Sequence, residues 1–311
     1  MKKIIFVGPF SYSKESGYET EKWMKDAFVK KGIEVIRFDD IRACADYGVD
    51  GCQKLLLEAV TVAKPDAVVF IKPDHITPET FQAIKCKTII YHPDVRDSTE
   101  KWLVERAKHA DHLFVMNIGS VDKYRFEGCN CHYVAEAADV VDHYANYEAE
   151  KKYDIVFIGS VRDERIPMLK ALINRGYNIA IYGNLCSDWY KFKYYYKGAI
   201  YGKEHSKVCN AAKICITWDW CPDVENSWSA RIYRVMSTSC LYMSKYVNGM
   251  SEVFRDSIST FDDLTSMFTQ IDYILKEEDY RIEKCKKAND LIRNEHTFDH
   301  RIEEILKIVG E

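Results

Sequence analysis

Ile214-Cys-Ile-Thr-Trp218, then, after a short turn, Glu225-Asn-Ser-Trp-Ser-Ala-Arg231-Ile-Tyr-Arg-Val-Met-Ser-Thr-Ser-Cys-Leu-Tyr-Met-Ser244 is the stretch that decides the fold. It reads as an apolar strand, a polar Ser-rich loop, a helix with an arginine in its first turn, and a second strand. Amide groups left open at a helix start, small hydroxyls and one fixed cation suit a diphosphate. The stretch lies deep in the second half of the chain, so that half must carry an α/β unit of its own.

Working outward, strands alternate with helices along the whole chain. Lys3-Ile-Ile-Phe-Val7 reads as a buried strand, followed by a helix from Tyr18 to Lys31 with Trp23, Met24, Ala27 and Phe28 on one face and Gly32 at its end. Strands are predicted at 34–38, 65–71, 88–91 and 112–116, with helices at 50–63, 78–85 and 100–109 between them. Residues 139–152 are polar and lack apolar periodicity, which reads as a linker. The pattern restarts with a strand at 154–158, a helix at 166–175, a strand at 178–182 and a helix near 203–213. After the opening stretch, a strand at 240–243 and a helical region from 265 to 309 complete it. The fold class is therefore α/β, with two tandem Rossmann-like domains. No Gly-x-Gly-x-x-Gly follows either first strand, which disfavours a nicotinamide dehydrogenase.

Composition narrows the function. The 311 residues are 47% hydrophobic and 30% charged, with a net charge of −4. Residues 1–150 carry 20 Lys and Arg against 25 Asp and Glu, and the remainder 24 against 23, so neither half has a basic nucleic-acid footprint. The basic-aromatic run Tyr190 to Lys197 suits stacking of bases or sugars, but such a run is more often a helix end with its lysines in water and its rings packed below. The apolar runs are too short for a membrane span, and the N-terminus lacks a signal-peptide cleavage site. The expected location is cytoplasmic. The 11 cysteines are scattered, as reduced thiols would be, and Cys129-Asn-Cys131-His132 has no second ligand pair at metal-site spacing.

An ordered set of short motifs carries a resemblance. Tyr153-Asp-Ile-Val-Phe-Ile-Gly159-Ser160, Ser229-Ala-Arg231-Ile-Tyr233, Asn248-Gly-Met-Ser-Glu252-Val-Phe254 and His296-Thr-Phe-Asp-His-Arg301 together resemble the CgeB-like (spore maturation protein type) group 1 glycosyltransferases, of GT-B architecture. The resemblance covers residues 150–305 and extends to the first half only in architecture. It implies an N-terminal acceptor domain over 1–145, a C-terminal nucleotide-sugar donor domain over 150–290, a cleft between them, and a last helix, 291–311, crossing back toward the first domain. It implies sugar transfer from a nucleotide donor, with a UDP-sugar as the expected one, as substrate and not cofactor, and no metal. One departure stands out: the family pattern follows the aromatic with a ribose-binding Glu, whereas here Tyr233 is followed by Arg234.

The candidate donor-binding residues are Gly159, Ser160, Arg162, Gly183, Ser227, Ser229, Arg231 and Tyr233. Arg231 can pair with phosphate oxygens and neutralise the charge that builds on a leaving diphosphate. Gly159 and Gly183 end strands, where open α/β sheets bind ligands and glycine lets a backbone come close. Ser227 and Ser229 are hydroxyl partners, or plain N-caps. An inverting transferase also needs a base for the acceptor proton; Asp94, His92 and Glu19 are the candidates, with turn and cap roles as their alternatives. Asp219 and Asp223 read as flanking a turn rather than as a metal clamp. Three rivals remain open: a transferase acting on modified DNA bases, a non-catalytic nucleotide-sugar binder, and a nucleotide-sugar epimerase.

Overall fold

The computed structural model describes residues 1–10, 19–96, 98–184, 192–219 and 223–310. The chain divides into two compact units: Met1–Glu136 with Val224–Ser227 and Phe298–Glu311, and Ala137–Asp223 with Trp228–Thr297.

The first unit is built on a six-stranded sheet, β1 (Lys3–Val7), β2 (Glu34–Phe38), β3 (Ala67–Ile71), β4 (Lys87–His92), β5 (His112–Val115) and β6 (Cys131–Tyr133), in the order β2-β1-β3-β4-β5-β6. Every pairing is parallel. The central strands are continuous apolar runs because a parallel sheet is covered on both faces; all five residues of Ala67–Ile71 are buried. The helices are α1 (Thr20–Lys30), α2 (Asp40–Ala63), α3 (Pro78–Ala83), α4 (Lys101–Ala107) and α5 (Val121–Phe126). The helix expected at 50–63 begins ten residues earlier, capped by the Asp39 side chain on the Arg42 amide, and is interrupted at Gly48, whose φ is +73°. The last helix of the chain, α12 (Phe298–Ile308), belongs to this unit. It packs on α1 through Trp23 and Phe298, whose rings are 5.7 Å apart, and through the Lys30–Asp299 ion pair at 3.1 Å. Arg301 Nε donates to the Glu136 carbonyl at 3.1 Å.

The second unit holds a five-stranded sheet, again wholly parallel: β7 (Tyr153–Ile158), β8 (Ile179–Tyr182), β9 (Ala212–Thr217), β10 (Leu241–Lys245) and β11 (Ser259–Phe261), in the order β11-β10-β9-β7-β8. Its helices are α6 (Ile166–Asn174), α7 (Gly202–Asn210), α8 (Arg231–Met236), α9 (Met250–Phe254), α10 (Leu264–Lys276) and α11 (Glu278–Glu295). The helical region expected from 265 to 309 is thus three helices, the first opened by a reciprocal Asp263–Ser266 capping box. Residues 139–152, read as a linker, are fastened inside this unit: Ser206 Oγ donates to the Asp142 carbonyl at 2.8 Å and the Asn146 amide to Asn210 Oδ1 at 3.1 Å. The two sheets and their helix-covered faces are the tandem Rossmann-like arrangement that the sequence pattern predicts, and no helix among the described residues is long and apolar enough to cross a membrane.

Candidate functional site

Three strand ends of the second unit meet where its cavity lies. β7 runs out into Gly159–Ser160, β8 into Gly183–Asn184, and β9 into Trp218–Asp219. The loops are stitched by backbone bonds, Gly159 N–H to the Tyr182 carbonyl at 2.8 Å and Val161 N–H to the Asn184 carbonyl at 2.9 Å. At the carboxyl ends of the strands, where open α/β sheets take ligands, lies a cavity of about 270 Å³. Gly159, Ser160, Gly183, Ser229 and Arg231, five of the eight donor candidates, line it together.

Two glycines make this geometry possible. Gly183, at φ +126°, faces Gly159 so closely that a Cβ on it would stand 2.2 Å from the Gly159 carbonyl oxygen. Gly159, at φ +152°, has the Arg231 guanidinium against it; a Cβ there would meet Nη2 at 2.5 Å. Arg231 therefore rests on bare backbone. Its Nη1 is buried and has no hydrogen-bond partner among the described residues, and the same holds for Ser229 Oγ. A buried donor left unmade costs about 1–3 kcal/mol, so both atoms fit a ligand's acceptors.

The surroundings are cationic. Arg234 lines the same cavity, and so does His205, which is 6% exposed. Burial first, then the charges of Arg234 and Arg231, push the His205 imidazole down to about 3, so it stays neutral at ordinary pH. No lining residue is acidic among the described residues. Behind the lining is Arg165, buried at 6% exposure, donating from Nη1 to the Ser160 carbonyl at 2.7 Å and from Nε to the Trp218 carbonyl at 3.0 Å. Burial, reinforced by the neighbouring Arg231 and opposed by Asp219, pushes Arg165 down to about 10.

The remaining donor candidates lie elsewhere. Arg162 is exposed and does not line the cavity; three residues on, Arg165 is the arginine that turns inward. Tyr233 is wholly buried, its hydroxyl accepting from Trp228 Nε1 at 2.9 Å and its ring packed on Phe254 and His296, so it supports α8 from the core. Ser227 is buried in the Val224–Ser227 segment of the first unit. Neither serine caps α8, whose flanking residue is Ala230 and whose start carries no side-chain cap. The Ser229 amide is committed to Asp219 Oδ1 at 3.3 Å, and Asp219 Oδ2 accepts from Tyr242 at 3.4 Å. Asp219 is thus a brace for the Ser229 loop.

The base candidates belong to the first unit. His92 ends β4, is 1% exposed, and has Nε2 2.9 Å from Glu100 Oε2. Glu100 also accepts from Arg96 Nε at 3.1 Å; the bond to His92, then that to Arg96, holds its carboxyl down at about 2. Asp94 Oδ2 takes both Lys72 at 2.7 Å and Arg96 at 3.1 Å. Glu19 is buried just ahead of α1. Asp97, all of Ser11 to Tyr18 and part of the run from Tyr190 to Lys197 lie outside the described residues. In the described part of that run Phe192 is buried and Tyr194 exposed. Among the described residues no three His, Cys, Asp or Glu side chains gather as metal ligands would.

This fold is that of the GT-B glycosyltransferases. Over 100% of this chain and 98% of its own, sucrose-phosphate synthase from Thermosynechococcus elongatus superposes with a TM-score of 0.71 at 9% identity. An alpha-glucosyltransferase in complex with UDP and a 13-mer DNA containing a HMU base gives 0.73 at 11% identity over 99% of each chain. Anabaena HepE, in complex with UDP and glucose, gives 0.67 at 9% identity over 100% of each chain. Residues 164–307 match the model of a family described as glycosyl transferase-like, a span that contains α6 to α8, the Ser229 loop and Arg231. No curated protein matches the sequence. Family match and fold together support a glycosyltransferase.

Proposed function

We propose that the chain transfers a sugar from a nucleoside diphosphate donor, a UDP-sugar in the first instance, to an acceptor hydroxyl, and that it does so in the cytoplasm as a relative of the spore-maturation type of group 1 transferases. The observation that carries the reading is the buried Nη1 of Arg231, unpartnered among the described residues, in a cavity that also offers Ser229 Oγ and, among the described residues, no acidic lining side chain. The choice of UDP follows the neighbours that hold it.

In the reaction the acceptor oxygen bonds to the anomeric carbon, and the bond from that carbon to the diphosphate oxygen breaks. The electron pair leaves with the diphosphate. Arg231 meets the charge as it grows, with a half-buried guanidinium whose Nη1 is out of water, where a fixed cation is worth more than in open solution. Neutral His205 offers a hydrogen bond without competing for the phosphate. If transfer inverts the anomeric centre, a base takes the acceptor proton. Of the three candidates His92 suits the task best, because its Nδ1 has no hydrogen-bond partner among the described residues while its Nε2 lies 2.9 Å from Glu100 Oε2, whereas Asp94 Oδ2 is already shared by two cations.

A second reading, transfer to a modified base in DNA, is favoured by one neighbour's DNA complex and opposed by the acidic first half of the chain. The test is a transfer assay with UDP-, GDP-, ADP-, CDP- and dTDP-sugars, preceded by thermal-shift screening. Nucleotide-selective stabilisation and diphosphate release support the reading. Stabilisation without release or transfer would mark a binder that is not an enzyme, and no stabilisation by any nucleotide would overturn the donor site.

A further inference from the structure

We propose that Arg165 is a positioning residue for the diphosphate: it ties together the two strand-end loops that flank the cavity and acts with Arg231 as one unit on the bound anion. The inference rests on the donor reading above and adds to it a residue that does not itself line the cavity. An arginine at 6% exposure is a costly object unless paired. Arg165 makes no ion pair among the described residues. Its fork is spent on two neutral carbonyls, Ser160 at the end of β7 at 2.7 Å and Trp218 at the end of β9 at 3.0 Å, and its guanidinium lies 5.8 Å over the Phe157 ring. That fork sets how far apart the two loops stand, a task a point-charge lysine does not reproduce.

The electrostatics point the same way. Burial and then Arg231 lower the pKa of Arg165, with Asp219 opposing, so two like charges are held near each other across the Gly159–Ser160 loop. Asp219 is in turn bonded to the Ser229 amide and to Tyr242, which fixes it in place. An anion of higher charge beside Arg231 relieves the repulsion for both arginines more than one of lower charge, and UDP and pyrophosphate each carry more negative charge than UMP at neutral pH. Arg165 therefore strengthens selection for a diphosphate over a monophosphate, without touching it.

The test is calorimetric titration of UDP, UMP and inorganic pyrophosphate into wild type, Arg165→Met, Arg165→Lys, Arg231→Met and the double methionine variant. The expected result is at least a tenfold loss of UDP and pyrophosphate affinity in Arg165→Met, a smaller loss for UMP, an intermediate value for Arg165→Lys, and a double variant no weaker than Arg231→Met alone. Equal losses for UDP and UMP, or single losses that multiply in the double variant, would overturn the inference. If Arg165→Met does not fold, the UDP-to-UMP ratio of Arg165→Lys decides: a reduced ratio supports the proposal and an unchanged one overturns it. Wild type binding neither UDP nor pyrophosphate would instead overturn the donor reading, and this inference with it.

Discussion

The Arg231 guanidinium occupies the space that a side chain at residue 159 would need: a Cβ on Gly159 would lie 2.5 Å from Nη2 and 3.0 Å from Cζ. Glycine at that position is therefore what lets the cation rest on the backbone of the β7 loop. Gly159→Ala is expected to push the guanidinium out of place and weaken nucleoside diphosphate binding by at least tenfold. Backbone strain at φ +152° adds a stability loss of roughly 1–3 kcal/mol. Titration of UDP together with urea unfolding of the variant checks both. Unchanged affinity would mean that Arg231 does not need its seat.

The His92–Glu100 contact makes an acid-stability prediction. Glu100 has a folded pKa of about 2, below its unfolded value, so the stability it contributes is present above about pH 4.3 and is lost as pH falls toward 2. Glu100→Gln should therefore lower stability at pH 6 and flatten the decline between about pH 4.5 and 2, read from urea midpoints across that range. Parallel curves for variant and wild type would count against the contact.

The same contact bears on turnover. For a transfer that inverts the anomeric centre, His92→Gln is expected to lower kcat by roughly 10²–10⁴-fold while leaving donor affinity within a few-fold, as removal of a general base does. A loss confined to donor affinity would take His92 out of the proton-transfer role.

Asp40 behaves in the opposite sense to Glu100. It is 1% exposed at the start of α2, its Oδ1 has no hydrogen-bond partner among the described residues, and burial raises its carboxyl to about 7. The folded chain then holds a proton that the unfolded chain releases near pH 3.9, so this group lowers stability as pH rises from about 4 to 7. Asp40→Asn should match wild type at pH 3.5 and be more stable at pH 8 by about 2–4 kcal/mol, at about 1.4 kcal/mol per pKa unit. A variant less stable at pH 8 would show that the ionised carboxylate has a partner in the fold.

The repeating strand and helix pattern was legible in the sequence because parallel strands are covered on both faces and so read as unbroken apolar runs. The short strands β6 and β11, three residues each, carry too little pattern to be seen. The first turns of α2, with Arg42, Asp46 and the Gly48 interruption, have no apolar periodicity to announce a helix. At the site, Gly159, Gly183 and Arg231 could be picked out because strand-end glycines and an arginine opening a helix after a Ser-rich loop suit an anion. Arg165 could not be told from Arg162, since the turn of 3-10 helix at Asp163–Arg165 decides which one faces inward. Tyr233 was drawn in by its place near Arg231, yet two residues along a helix is a rotation of about 200°, here into the core. Asp219 looked like one end of a turn because its partners, Ser229 and Tyr242, are 10 and 23 residues away in sequence.

The most direct measurement is the binding and turnover of a nucleotide sugar by Arg231→Ala beside wild type. The account predicts saturable binding of UDP or another nucleoside diphosphate by wild type, and a loss in Arg231→Ala of on the order of 2–4 kcal/mol in transition-state stabilisation, about 30- to 1,000-fold in kcat/KM. Equal binding and turnover by the two proteins would contradict the placement of the diphosphate against Arg231, and with it the function proposed for the chain.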